Sequence, residues 1–173
     1  MISQKLQDLI NIQIQNELYS AYLYWSMAAY CEEKNLKGFA NWYRIQTQEE
    51  RDHALMFYNY LNLVDAHVTL LPIAQPDADF SSPMDVLKRT LEHEKKVTGM
   101  IYNLMDAAQD ERDYKTIQFL QWFVSEQAEE ENNARDNINR LALLGEQSEQ
   151  GLFMMDEQMA ARIYVPSANL TQE

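Results

Sequence analysis

The residues in this chain that could do chemistry are acids standing where apolar residues are expected. Ile10, Ile14, Glu17, Ala21, Tyr24 and Ala28 step by three or four and share one helical face, with Glu17 in the middle of the stripe. Tyr43, Glu50, His53, Ala54, Phe57 and Leu61 make a second stripe, in which Glu50 and His53 lie one turn apart and can both reach one metal ion. A third, Leu87, Leu91, Glu94, Val97, Ile101 and Met105, turns Glu94 inward, and a fourth, Leu120, Phe123, Gln127, Glu130, Ala134 and Ile138, does the same for Gln127 and Glu130. None of these inward positions is Lys or Arg. Buried carboxylates need protons, cationic partners or a metal, so their convergence on one core predicts a metal centre. Carboxylate oxygens with one imidazole nitrogen suit Fe(II) or Mn(II), with Zn(II) able to compete, and about four carboxylates with one His favour two bridged ions over one. Each element alone is weak: a lone Glu-x-x-His is ordinarily surface, and Glu129-Glu130-Glu131 as a charge run reads as a solvated face. Their coincidence at mid-height on four stripes carries the reading.

Four long helices must position these groups. The first is expected over about Ser3 to Glu33, giving way at Lys34-Asn35-Leu36-Lys37-Gly38 to a second that continues to about Leu63. The third opens with Ser82 as N-cap and Pro83 at the first helical position, and ends near Ala108. The fourth begins around Asp110 to Asp113 and runs to Leu144, where Gly145 is a natural stop. A short fifth, about Ser148 to Arg162, precedes a polar tail, so one domain over 1–162 and a tail over 163–173 are expected. Residues 64–81, with Pro72 and Pro76, form the one long link. About 18 extended residues at roughly 3.3 Å each can span the roughly 40 Å of a 28-residue helix and return the chain to its starting end. Short, long, short connections predict an all-α, ferritin-like four-helix bundle with one long crossover and a short fifth C-terminal helix.

Composition narrows the class. The chain has 173 residues, 46% hydrophobic and 24% charged, with only 4 Gly and 4 Pro, which favours long helices in one domain. With 27 acidic against 14 basic residues the formal net charge is -13, a balance that attracts small cations and disfavours nucleic acid and anionic membrane as partners. Nowhere do about 18 apolar residues run together, and Met1-Ile2-Ser3-Gln4-Lys5 has no apolar signal core behind it, so a soluble cytoplasmic protein is expected. Cys31 is the only cysteine, which rules out an intrachain disulfide and a Cys-x-x-Cys metal knuckle.

These residues resemble the non-haem bacterial ferritins over nearly the whole chain, from Leu6 to about Ala161. The densest stretches are Asn16 to Ala21, Gln48-Glu49-Glu50-Arg51-Asp52-His53, and the run from Phe119 to Glu131. By similarity, Glu17, Glu50 and His53 bind a first iron, Gln127 hydrogen-bonds a ligand or bound oxygen, and Glu50 bridges to a second iron held by Glu94 and Glu130. Glu49, Glu126 and Glu129, sharing Glu130, look like the additional third iron site of this group. Tyr24 could donate an additional electron, or could simply be an amphipathic core residue. The resemblance implies a homo-oligomeric, hollow 24-subunit shell that oxidises Fe(II) with dioxygen or hydrogen peroxide and stores the ferric mineral. Two departures stand out. The fourth helix reads Gln127-Ala128-Glu129-Glu130 in place of a second Glu-x-x-His, and Asp52 stands where haem-binding bacterioferritins place a ligating Met, so no haem is expected. Ile117 and Leu120 occupy the positions at which animal relatives line their threefold channels with acids. Three other readings stay open: a di-iron oxidase or peroxidase that does not store iron, a DNA-protecting mini-ferritin, and a metal-free helical scaffold.

Overall fold

Helix ends in this chain are set by local caps, and these fix the architecture. A computed structural model describes residues 2–145 and 147–166; Met1, Glu146 and 167–173, which hold most of the expected tail, lie outside the described residues. The elements are α1 (Gln4–Glu33), α2 (Lys37–Leu63), α3 (Pro83–Asp110), α4 (Tyr114–Leu144) and α5 (Glu149–Ala160). Ser3 Oγ accepts from Leu6 N at 3.1 Å, Ser82 Oγ from Asp85 N at 3.0 Å, Asp113 Oδ1 from Thr116 N at 3.3 Å and Ser148 Oγ from Gly151 N at 3.1 Å. The first three helices end on left-handed residues, Asn35 (φ 57), Asp65 (φ 57) and Arg112 (φ 54), where short polar or long flexible side chains stand in for the usual glycine.

Gly38 is therefore not part of the first turn, as its sequence neighbourhood implied, but lies inside α2. A Cβ there would fall 1.7 Å from the backbone oxygen of Asp156, so glycine is what lets α5 pack onto α2. The N-cap residue of α2, Leu36, offers no side-chain cap. Asp156 supplies it from α5 instead, its Oδ1 accepting from Gly38 N at 2.7 Å and Phe39 N at 3.0 Å.

The crossover runs up the side of α1. Gln7 and Asn11 bind the backbone of His67 and Thr69 near its start, and Ser26 Oγ donates to Asp77 O at 2.7 Å further along. Phe80 then packs edge-on against Tyr30 near the far end of α1. Two helical hairpins, α1–α2 and α3–α4, result, joined by this one strap as the connection lengths predicted.

The core has two halves. One gathers Tyr24, Met27, Phe39, Tyr43 and Leu87 with Met155 and Met159 of α5. The other gathers Ile10, Ile14, Phe57, Leu61, Ile101 and Phe123. The buried acids fall between the two.

Candidate metal centre

Each acid-bearing stripe delivers its polar residue to this middle layer. Glu17 from α1, Glu50 and His53 from α2, Glu94 from α3, and Gln127 and Glu130 from α4 are all buried, between 1% and 7% exposed. Glu17, Glu50 and His53 each place one donor atom so that all three lie within 4.8 Å of one another, a span that one cation can bridge. His53 Nδ1 lies 3.3 Å from Glu50 Oε2, and its ring sits edge-on to Trp122 and Phe123 at 5.5 and 5.9 Å, which fixes the imidazole plane. Glu17 Oε1 accepts from Gln13 Nε2 at 2.8 Å. Its second oxygen, Oε2, has no hydrogen-bond partner, the only such buried side-chain atom among the described residues. Burial, and next the Glu50 charge, push the Glu17 carboxyl up to about 8. A partnerless oxygen on a carboxyl held protonated by its surroundings is an open ligand position.

Across the layer Glu94 and Glu130 complete the carboxylate set. Tyr24 donates its hydroxyl to Glu94 Oε1, and Gln127 Nε2 donates to Glu94 Oε2 at 3.1 Å and to Glu94 O at 3.2 Å. Gln127 is thus spent on orienting Glu94. Gln46 Nε2 donates to Glu130 Oε2 at 3.1 Å. Burial raises the carboxyls of Glu50 and Glu130 well above the usual range, with Glu94 the next contributor to both, and raises Glu94 itself. Burial, and then Glu94, likewise lift the Tyr24 phenol far above its ordinary value. Exclusion of water thus shifts every acid of the layer toward its protonated form.

The accessory acids are less gathered. Glu126 Oε1 stands 3.9 Å from His53 Nε2, Glu49 is half-buried and paired with Arg162, and Glu129 is exposed. Arg162, Gln13 and Gln46 were not singled out from sequence. The glutamines carried a signal, since each sits four residues before an inward acid, on the same face. Arg162 carried none, because it reaches the layer from beyond α5. Asp52 accepts from Tyr164 Oη at 2.5 Å, so Tyr164, expected as plain tail, is tied to α2.

One expectation is overturned. Leu120 is 0% exposed and belongs to the core half built around Phe57 and Phe123, with Ile117 packed against it, so Leu120 cannot line a pore between subunits. Its place on the inward stripe with Phe123 and Gln127 already required this. A cavity of about 400 Å³ opens on the α1–α3 side, with Tyr19, Arg89, His93 and Lys96 among its lining residues. Its wall contains none of Glu17, Glu50, Glu94 or Glu130 and is not the metal layer.

A model of the ferritin-like domain family matches residues 7–144. The bacterial non-heme ferritin of Staphylococcus aureus (strain USA300) is 38% identical over 164 residues, which cover 95% of this chain and 98% of that one. The chain belongs to the ferritin family. A second ferritin-family relative, the bacterial non-heme ferritin of Staphylococcus epidermidis, has the same identity over the same span. Among solved structures, an engineered closed form of the Archaeoglobus fulgidus ferritin superposes with a TM-score of 0.93 at 39% identity, covering 95% of this chain and 100% of that one. The open pore ferritin of the same archaeon gives 0.92 at 39% identity, with 94% and 100% covered. The ferritin fold of this chain, five helices with the acids on its four long ones, is thereby shown over nearly its full length. No helix of the described residues is long and apolar enough to cross a membrane.

Proposed function

We propose that this chain is an iron-storage ferritin subunit of the cytoplasm, which oxidises Fe(II) in its middle layer and holds the ferric product inside a hollow 24-subunit shell. The observation that carries the reading is the buried Glu17, Glu50 and His53 triad, with donor atoms within 4.8 Å and Glu17 Oε2 left without a partner. The names of the relatives support iron as the cargo.

In this reading Glu17, Glu50 and His53 hold one Fe(II), and Glu50 bridges to a second held by Glu94 and Glu130. Four ionised carboxylates balance the charge of two Fe(II) ions, and the protons they held leave as the metal enters. The two ions give up two electrons. Dioxygen takes these with two protons to become hydrogen peroxide, or hydrogen peroxide takes them with two protons to become two waters. Two Fe(III) ions exceed the charge of the carboxylates, which favours loss of protons from bound water and hydrolysis to a ferric oxo-hydroxide. Gln127 keeps Glu94 aimed at the layer. Tyr24 can add one electron when a third Fe(II) is also oxidised, the four electrons together with four protons then reducing dioxygen to two waters, and its phenolic proton passes to the Glu94 oxygen it already donates to. Glu49, Glu126 and Glu129, with Glu130, form an accessory site for a third iron.

The test is aerobic Fe(II) addition to metal-free protein, followed by ferric absorbance, with particle size and electron microscopy of the product. Rapid oxidation and electron-dense cores inside particles of about half a megadalton are expected. Rapid oxidation by a dimer that forms no core would make the chain a non-storing oxidase, and oxidation no faster than in buffer would overturn the reading.

A further inference from the structure

Arg162 leaves the end of α5 and lays its guanidinium against α2 beside the accessory acids. Its Nη2 donates to Glu49 Oε2 at 2.6 Å, its Nη1 donates to Gln46 Oε1 at 2.5 Å, and its central carbon stands 3.9 Å from the centre of the Trp42 ring. The Arg162 side chain is only 18% exposed and that of Glu49 22%, so the pair is largely withdrawn from water. The segment bearing it is tied down on both sides. Asn41 Nδ2 donates to the carbonyls of Met159, Ala160 and Arg162 at 3.4, 3.4 and 3.1 Å, and Tyr164 bonds Asp52. A guanidinium can only donate, so Arg162 also fixes the Gln46 amide with its oxygen outward and its NH2 toward Glu130.

We propose that Arg162 is the built-in counter-ion of the accessory carboxylates, and that a third metal ion binds there only by taking Glu49 away from it. This rests on the accessory-site reading given above. A cation already seated on Glu49, stacked on an indole and bonded once to each of two side chains, competes for the Glu49 oxygen and repels a metal ion brought to it. By linkage, filling the accessory site loosens the C-terminal segment by the same factor that Arg162 weakens the site. Release of Arg162 also frees Gln46, which carries the event to Glu130 in the main layer.

The experiment is anaerobic titration of metal-free assembled protein with Zn(II), which has no redox chemistry, counting equivalents per subunit calorimetrically. The accessory equivalent is identified as the one lost in Glu129→Ala, a carboxylate Arg162 does not touch. In Arg162→Gln that equivalent is expected to tighten at least tenfold, about 1.4 kcal/mol, while the tighter equivalents move less than twofold. Arg162→Lys, which keeps the charge but loses the fork and much of the stacking, should fall between, and it serves if the glutamine variant does not assemble. A merely structural Arg162 would weaken metal binding generally or leave it unchanged. An accessory equivalent that fails to tighten in both variants overturns the inference alone. If Glu129→Ala loses no equivalent, the accessory-site reading fails and takes the inference with it.

Discussion

Glu17→Gln in the metal-free protein isolates the cost of keeping an acid in the middle layer. The amide copies the protonated carboxyl in size and can still accept from Gln13, so packing is retained. Wild-type Glu17 is 1% exposed and raised from 4.5 to about 8. The folded state therefore binds its proton more tightly than the unfolded chain, and stability falls as pH rises from about 4.5 to about 8. Each pH unit inside that window costs about 1.4 kcal/mol at most, so between pH 5.5 and 7.5 the wild type should lose roughly 2–3 kcal/mol relative to Glu17→Gln. For a chain of this size that is roughly 5–10 °C in melting temperature. Raised acids that do not interact with Glu17 titrate alike in both proteins and cancel in the difference; Glu50, whose charge acts on Glu17, contributes to it. Calorimetric melting of metal-free shells of equal size, at half-unit steps from pH 4 to 8.5, is the assay. The curves should meet near pH 4 and separate steadily up to about pH 8, with the variant more stable. A difference that does not change with pH would refute the reasoning.

Three further outcomes follow from the same geometry. Glu50→Ala should abolish rapid Fe(II) oxidation, a fall of at least a hundredfold in initial rate by stopped-flow absorbance, while light scattering shows intact shells; wild-type rates would remove the two-iron assignment. Tyr24→Phe deletes the donor on Glu94 Oε1 and the extra electron, so the ratio of Fe(II) oxidised per dioxygen consumed, read with an oxygen electrode, should change more than the initial rate. Gly38→Ala forces a Cβ against the backbone of α5, and should lower stability by about 2–4 kcal/mol in chemical denaturation through partial undocking of α5.

Much of this was legible in sequence because polar intrusions into an apolar stripe report both the fold and the site. Glu17, Glu50, His53, Glu94, Gln127 and Glu130 were found by period alone, and all are buried in one layer. What escaped had other causes. Arg162 comes to Glu49 across 113 residues of chain, and no local pattern announces a contact at that distance. Gly38 read as a turn because glycine has two uses, free backbone and close approach, and only the position of α5 distinguishes them. Leu120 carries two readings, a channel position by resemblance and a core position by its spacing with Phe123 and Gln127, and its burial decides for the second. The exposure of Glu129, against the burial of Glu130 next to it, is a matter of a 100° turn that the run Glu129-Glu130-Glu131 conceals.

The division of the core into two apolar halves gives each subunit a waist. Side chains at either end lock into one another, whereas the middle layer joins the hairpins largely through polar groups, Tyr24 on Glu94 and Gln46 on Glu130, with His53 set against Trp122 and Phe123 and one carboxyl oxygen left without a partner. In the proposed reading, ions held at that height would tie α1, α2, α3 and α4 together through Glu17, Glu50, His53, Glu94 and Glu130, so that the stiffness of the protein becomes a function of what it carries.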